Sequence, residues 1–92
     1  MNARTQKTMK RQFLGQHIVA DPKICHGKPT FVGTRVMVSQ VLRQLGNGMN
    51  TQEIVQEWRG NVSREAIAEA VELASRAFVE HAPEYTLESV SK

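Results

Sequence analysis

The chain has 92 residues, a formal net charge of +3, 40% hydrophobic residues and one cysteine. That length allows one domain, which buries only roughly 60–65% of its unfolded surface, so the core is small and a partner or second copy matters for stability. No apolar run approaches the roughly 20 residues of a membrane span, and a lone cysteine excludes an internal disulfide. The basic opening MNARTQKTMKRQF lacks an apolar stretch, which argues against a secretory signal. The expected location is the cytoplasm, whose reducing conditions suit a free thiol.

Charge divides the chain in two. Residues 1–43 carry eight basic side chains against Asp21 alone, a formal +7, while residues 44–92 carry four basic and eight acidic ones, a formal −4. A basic half can neutralise phosphates, each contributing about −0.9 to the slope of log K against log salt. The acidic half suits solvent or a basic protein surface.

Residues 1–16 read as a flexible basic arm, with Met9, Phe13 and Leu14 as its only large apolar side chains beyond Met1. His17–Ala20 reads as a short strand that Asp21-Pro22 stops. In the following DPKICHGKPTFVGTRVMV, Gly27, Pro29 and Gly33 mark tight turns. Phe31-Val32 and Val36-Met37-Val38 read as paired strands around a Gly33-Thr34 turn, which leaves Arg35 at its mouth.

From Val38 the apolar period changes to about 3.6. Val38, Val41, Leu42 and Leu45 predict a helix over Val38–Asn47, ended by Gly48. A second helix starts at Asn50 or Thr51 and buries Ile54, Val55 and Trp58. Ser63 caps a third, which reaches His81 with an apolar stripe of Ala66, Ile67, Ala70, Val71, Ala74, Ala77 and Phe78. Glu65, Glu69, Glu72 and Arg76 are expected on its exposed side. Pro83 forbids simple continuation. The fold class is therefore mainly α: short N-terminal strands or a β-hairpin before a three-helix unit, with the domain at 17–81 and a tail at 82–92. Helix two, a short turn and helix three have helix-turn-helix spacing, which any three-helix bundle with short loops also produces.

The residues Asp21-Pro22, Ile24-Cys25, Gly27-Lys28-Pro29, Gly33-Thr34-Arg35, Val38, Gly48 and Thr51 closely resemble the pattern of the domain of unknown function 433 family. The resemblance continues through Glu53-Ile54, Trp58, Ala66-Ile67, Ala70 and Ala74, covering about residues 17–78. It implies a homeodomain-like helix-turn-helix protein of VapB antitoxin type, which would neutralise a PIN-like ribonuclease toxin and, as a homodimer, bind its own operator DNA. Val32 stands where the family often has arginine, Met37 where proline is common, and Arg59-Gly60 where a Tyr-Pro step is usual. The missing arginine weakens the case for nucleic-acid contact by the hairpin.

The candidate nucleic-acid-binding residues are Arg4, Lys7, Lys10, Arg11, Arg35, Arg43 and Arg64. A guanidinium at Arg35 can grip phosphate or carboxylate bidentately, or instead pair with Asp21 or backbone carbonyls and lock the hairpin. Lys28 faces the same choice. Entry of the third helix into a DNA groove is disfavoured by Glu65, Glu69 and Glu72. In the tail, Glu84, Tyr85, Leu87 and Glu88 are the candidate partner-binding residues, ordering on a toxin or else folding back on the chain's own core or completing a dimer.

Cys25, His17, His26 and His81 lack zinc spacing, so no metal or cofactor is expected, and no nucleophilic set suggests catalysis. Cys25 reads as a half-buried hydrophobe. Beside the antitoxin reading stand a stand-alone DNA-binding regulator and a homodimeric adaptor without a nucleic-acid role.

Overall fold

A computed structural model describes residues 10–87. Three antiparallel strands, β1 (Gln12–Phe13), β2 (Ile18–Ala20) and β3 (Pro29–Phe31), lie in that order in one sheet. Three helices follow, α1 (Val38–Gly46), α2 (Thr51–Glu57) and α3 (Arg64–Glu80), and then a 3-10 turn over Ala82–Tyr85. This is the expected mainly helical architecture with strands at its amino-terminal side.

The register explains the core. Ile18 opposes Phe31 and Val19 opposes Thr30, so alternate residues of each strand face opposite sides of the sheet. Ile18 and Phe31 join Val36, Val41, Ile54, Val62, Ala66, Ile67 and Ala70 in one buried cluster. Thr30, fully buried, has its hydroxyl directed at the Val19 carbonyl. The expected Gly33-Thr34 turn forms, with Gly33 at φ +80 and the Phe31 N–H donating to the Val36 carbonyl at 3.0 Å. Its return limb is a single bridge, Thr30 to Met37, because helix α1 claims Val38.

Helix boundaries follow local chemistry. The Asn50 side chain accepts the Glu53 N–H and Glu53 accepts the Asn50 N–H, each at 2.8 Å, a reciprocal cap on α2. Ser63 Oγ accepts the Ala66 N–H at 3.1 Å to start α3. Between them Arg59 and Gly60 both take left-handed φ, and Gly60 N–H returns to the Val55 carbonyl at 2.9 Å. That turn drops Val62 into the core, fully buried.

Two expectations are corrected. Residues 10–16 are not all a loose arm: Gln12 and Phe13 pair with Ala20 and Val19, and the Leu14 N–H donates to the Ile18 carbonyl at 2.9 Å. Backbone pairing, indifferent to side-chain polarity, extends the sheet into a polar stretch. The apolar stripe of α3, in turn, is buried only through Ala70, with Leu73 partly covered. Val71 is 45% exposed and Phe78 60% exposed, because the helix runs past the elements it packs on.

Candidate functional site

The basic candidates are spread over the surface. Lys10 and Arg11 are exposed at the sheet edge, where the Arg11 guanidinium lies 5.1 Å from the centre of the Phe13 ring. Arg4 and Lys7 lie outside the described residues. Arg35 is exposed on the turn, and neither lock foreseen for its side chain forms: it has no ion pair or hydrogen bond with any described residue. Asp21 instead accepts the Lys23 N–H at 2.9 Å and stiffens its own loop. The backbone at Arg35 does anchor something, since its carbonyl lies 3.5 Å from the Cys25 thiol.

That thiol belongs to an unusual loop. Cys25, His26 and Gly27 all take left-handed φ, at 51, 58 and 83 degrees. A left-handed backbone disfavours the first two residue types, and the Asp21–Lys28 turn bonds hold them there. Cys25 is half-buried, as expected. Among the described residues no group of three potential ligands is placed to hold a metal.

Arg43 lines a shallow cleft of about 240 Å³ with Gln40, Gln44, Asn47 and Trp58. The Trp58 indole N–H donates to the Gln44 side chain at 2.9 Å there, which joins α1 to the end of α2. Arg64, the first residue of α3, is exposed. Arg35, on the strand turn, and Arg64 are not among the residues lining the cleft at Arg43.

Glu69 departs most sharply from expectation. Its carboxylate, foreseen on the solvated side of α3, accepts the Gln16 and His17 backbone N–H groups, each at 2.7 Å, and the His17 ring nitrogen lies at 3.2 Å. Partial desolvation on its own would raise the Glu69 pKa; the two backbone hydrogen bonds, the ring contact and the His17 charge outweigh it, and the pKa is lowered. The approach is close: a β-carbon at Gly15 would stand 2.5 Å from Glu69 Oε2. The β1–β2 turn therefore covers this side of α3 near its amino-terminal end.

Among the described residues, the stretch from Phe78 to Leu87 holds the most exposed large apolar side chains. Tyr85 stacks on Phe78 with ring centres 5.3 Å apart and planes inclined at 28°. Glu84 reaches the His81 ring at 3.1 Å. Val79 is 72% and Leu87 82% exposed. Glu88 lies outside the described residues. Tyr85 thus lies against Phe78, itself 60% exposed and outside the buried core, and Leu87 is open to solvent.

Next to this end, an open apolar groove of about 440 Å³ runs between the sheet, α1 and α3, lined by Leu14, Pro29, Val38, Leu42, Leu73 and Ala74 among others, with Lys28 as its charged member. The sequence reading missed this groove. Its only advance signal was the continuation of the α3 stripe past Ala70 with no remaining element to cover it.

Among the described residues, the grooves at Lys28 and at Arg43 are open faces. The family described as "Protein of unknown function (DUF433)" matches residues 18–74. The chain belongs to that family. No curated protein and no solved structure matches the chain.

Proposed function

We propose that this chain is a non-enzymatic antitoxin of a type II toxin-antitoxin system, acting in the cytoplasm by docking on a PIN-like ribonuclease. The supporting observation is the projecting carboxyl-terminal end, where Val79 and Leu87 are 72% and 82% exposed beside Glu80 and Glu84. Apolar anchors ringed by carboxylates suit the cationic, metal-bearing cleft of a ribonuclease. Leu87 and Glu88 make the contact in this reading, while Glu84, held at the His81 ring, and Tyr85, stacked on Phe78, fix the 3-10 turn from which Leu87 extends.

In the same reading the protein is a homodimer that also binds its operator, with α2 and α3 as a homeodomain-like helix-turn-helix. Arg4, Lys7, Lys10, Arg11, Arg35, Arg43 and Arg64 contact phosphates. Coverage of α3 by the β1–β2 turn at Glu69 favours phosphate contact over groove reading by that side of the helix. The alternative, a stand-alone helix-turn-helix regulator, draws on the tight left-handed turn at Arg59-Gly60 between α2 and α3.

Co-expression with the product of the adjacent gene separates the two. A co-purifying complex and relief of growth arrest, both lost on Leu87→Asp, are expected of the antitoxin. A chain that forms no complex and relieves no arrest, yet binds its promoter, is the regulator.

A further inference from the structure

We infer that the groove beside α3 is closed by a second copy of this chain, with the two α3 helices antiparallel across a two-fold axis and Phe78 of each copy seated in the other's groove. The inference rests on the homodimer in the function proposed above and gives it a surface. Three observations on α3 carry it.

The first is incomplete packing. α3 has 17 residues, yet beyond Ala70 none is buried and only Leu73 is partly covered. Helices draw most of their stability from a packed apolar face. Here that face continues through Leu73, Ala74, Ala77 and Phe78, and beyond the Tyr85 ring against Phe78 none of these four side chains is buried by a described residue.

The second is register. Leu73 and Ala74 line the groove, and Phe78 stands one helical turn beyond Ala74 on the same stripe. When two such helices run antiparallel about a level midway between Ala74 and Ala77, Ala74 opposes the partner's Ala77 and Phe78 opposes the partner's Leu73. Alanine at the crossing lets the backbones approach. One two-fold operation thus fills both grooves with both phenylalanines, and the contact closes on itself.

The third is charge. Lys28 lines the groove, whereas the segment from Ala77 to Tyr85 carries Glu80 and Glu84 and no lysine or arginine. Glu84 touches His81, which continues the stripe by one more turn, so its carboxylate travels with Phe78 toward the partner's Lys28. Leu87, 82% exposed, is not part of this interface.

Sedimentation equilibrium of the full chain tests this, with circular dichroism as the control for folding. The wild type is expected to dimerise, and Phe78→Asp and Ala74→Arg, both at exposed positions, to weaken the dimer about 30-fold or more while remaining folded. Lys28→Glu should weaken it too, and Glu84→Lys added to Lys28→Glu should restore it. A wild type monomeric at every concentration, or a Phe78→Asp variant that dimerises as tightly as wild type, overturns the inference. So does Phe78→Asp abolishing capture of the nuclease without changing the oligomeric state, because the groove then belongs to the nuclease. A monomer that still captures the nuclease removes the dimer and leaves the antitoxin reading standing; a dimer broken by Phe78→Asp with no nuclease complex does the reverse.

Discussion

Glu69 on α3 holds the His17 backbone N–H at 2.7 Å, across 52 residues of sequence, and so ties the longest helix to the turn between β1 and β2. The same carboxylate takes the Gln16 N–H on its other oxygen, so one side chain satisfies two adjacent backbone donors. Hydrogen bonds to a charged group contribute about 1.5–3 kcal/mol, so Glu69→Ala is expected to destabilise the fold by that order in urea denaturation. Gly15→Ala, which thrusts a methyl at the carboxylate, should destabilise in the same range. Because both substitutions break one contact, the double variant should cost clearly less than the two single effects added together; strict additivity would rule out the tie as the shared cause.

The tie also fixes a pH dependence. The folded-state pKa of Glu69 lies below its ordinary value of 4.5, so the folded state binds fewer protons there than the unfolded chain. Its contribution is fully present above that ordinary value and disappears as pH falls through the depressed one. The stability difference between wild type and Glu69→Gln should therefore be constant near neutrality and shrink on acidification below 4.5. A difference independent of pH down to acid unfolding would contradict this.

The Asn50–Glu53 cap on α2 is reciprocal, and α2 has only 7 residues. Asn50→Ala removes one acceptor and should lower stability by about 1 kcal/mol. For a domain of this size that corresponds to about 4–8 °C in Tm by thermal melt. Asn50→Asp, which keeps the acceptor, should stay near wild type. Equal losses in the two variants would mean that the cap is not the source.

Operator binding, as proposed, depends on phosphate contacts from dispersed basic residues. Arg43→Ala and Arg64→Ala should each reduce the salt slope of promoter binding by about 0.9 and weaken specific and random DNA alike. Titrations at several salt concentrations read this directly. Affinity indifferent to salt would remove nucleic acid from the functional reading.

Much of this architecture was legible in the sequence because its signals are local. The change of apolar period at Val38, the acceptors at Asn50 and Ser63, and Gly33 at the turn each act within a few residues, and the helices start at Val38, Thr51 and Arg64. The family was legible in the spacing of Gly27-Lys28-Pro29 and Gly33-Thr34-Arg35. The Glu69 tie was not, since a glutamate on the polar side of a helix looks the same whether it meets water or two amides 52 and 53 residues away. Strand β1 was hidden for a related reason: Gln12 and Phe13 are recruited by the backbone of β2, not by an alternating pattern of their own. The exposure of the α3 stripe beyond Ala70 escaped too, because periodicity marks which side of a helix is apolar and not how much of it is covered.

Glu69 and Phe78 ride on a single uninterrupted helix, about 14 Å apart along its axis at 1.5 Å per residue. A helix of this kind behaves as a stiff rod, so a load taken up at its far turns is felt at the bolt near its base. Whatever grips the distal end therefore pulls on the same rod that is fastened to the turn between the first two strands through Glu69.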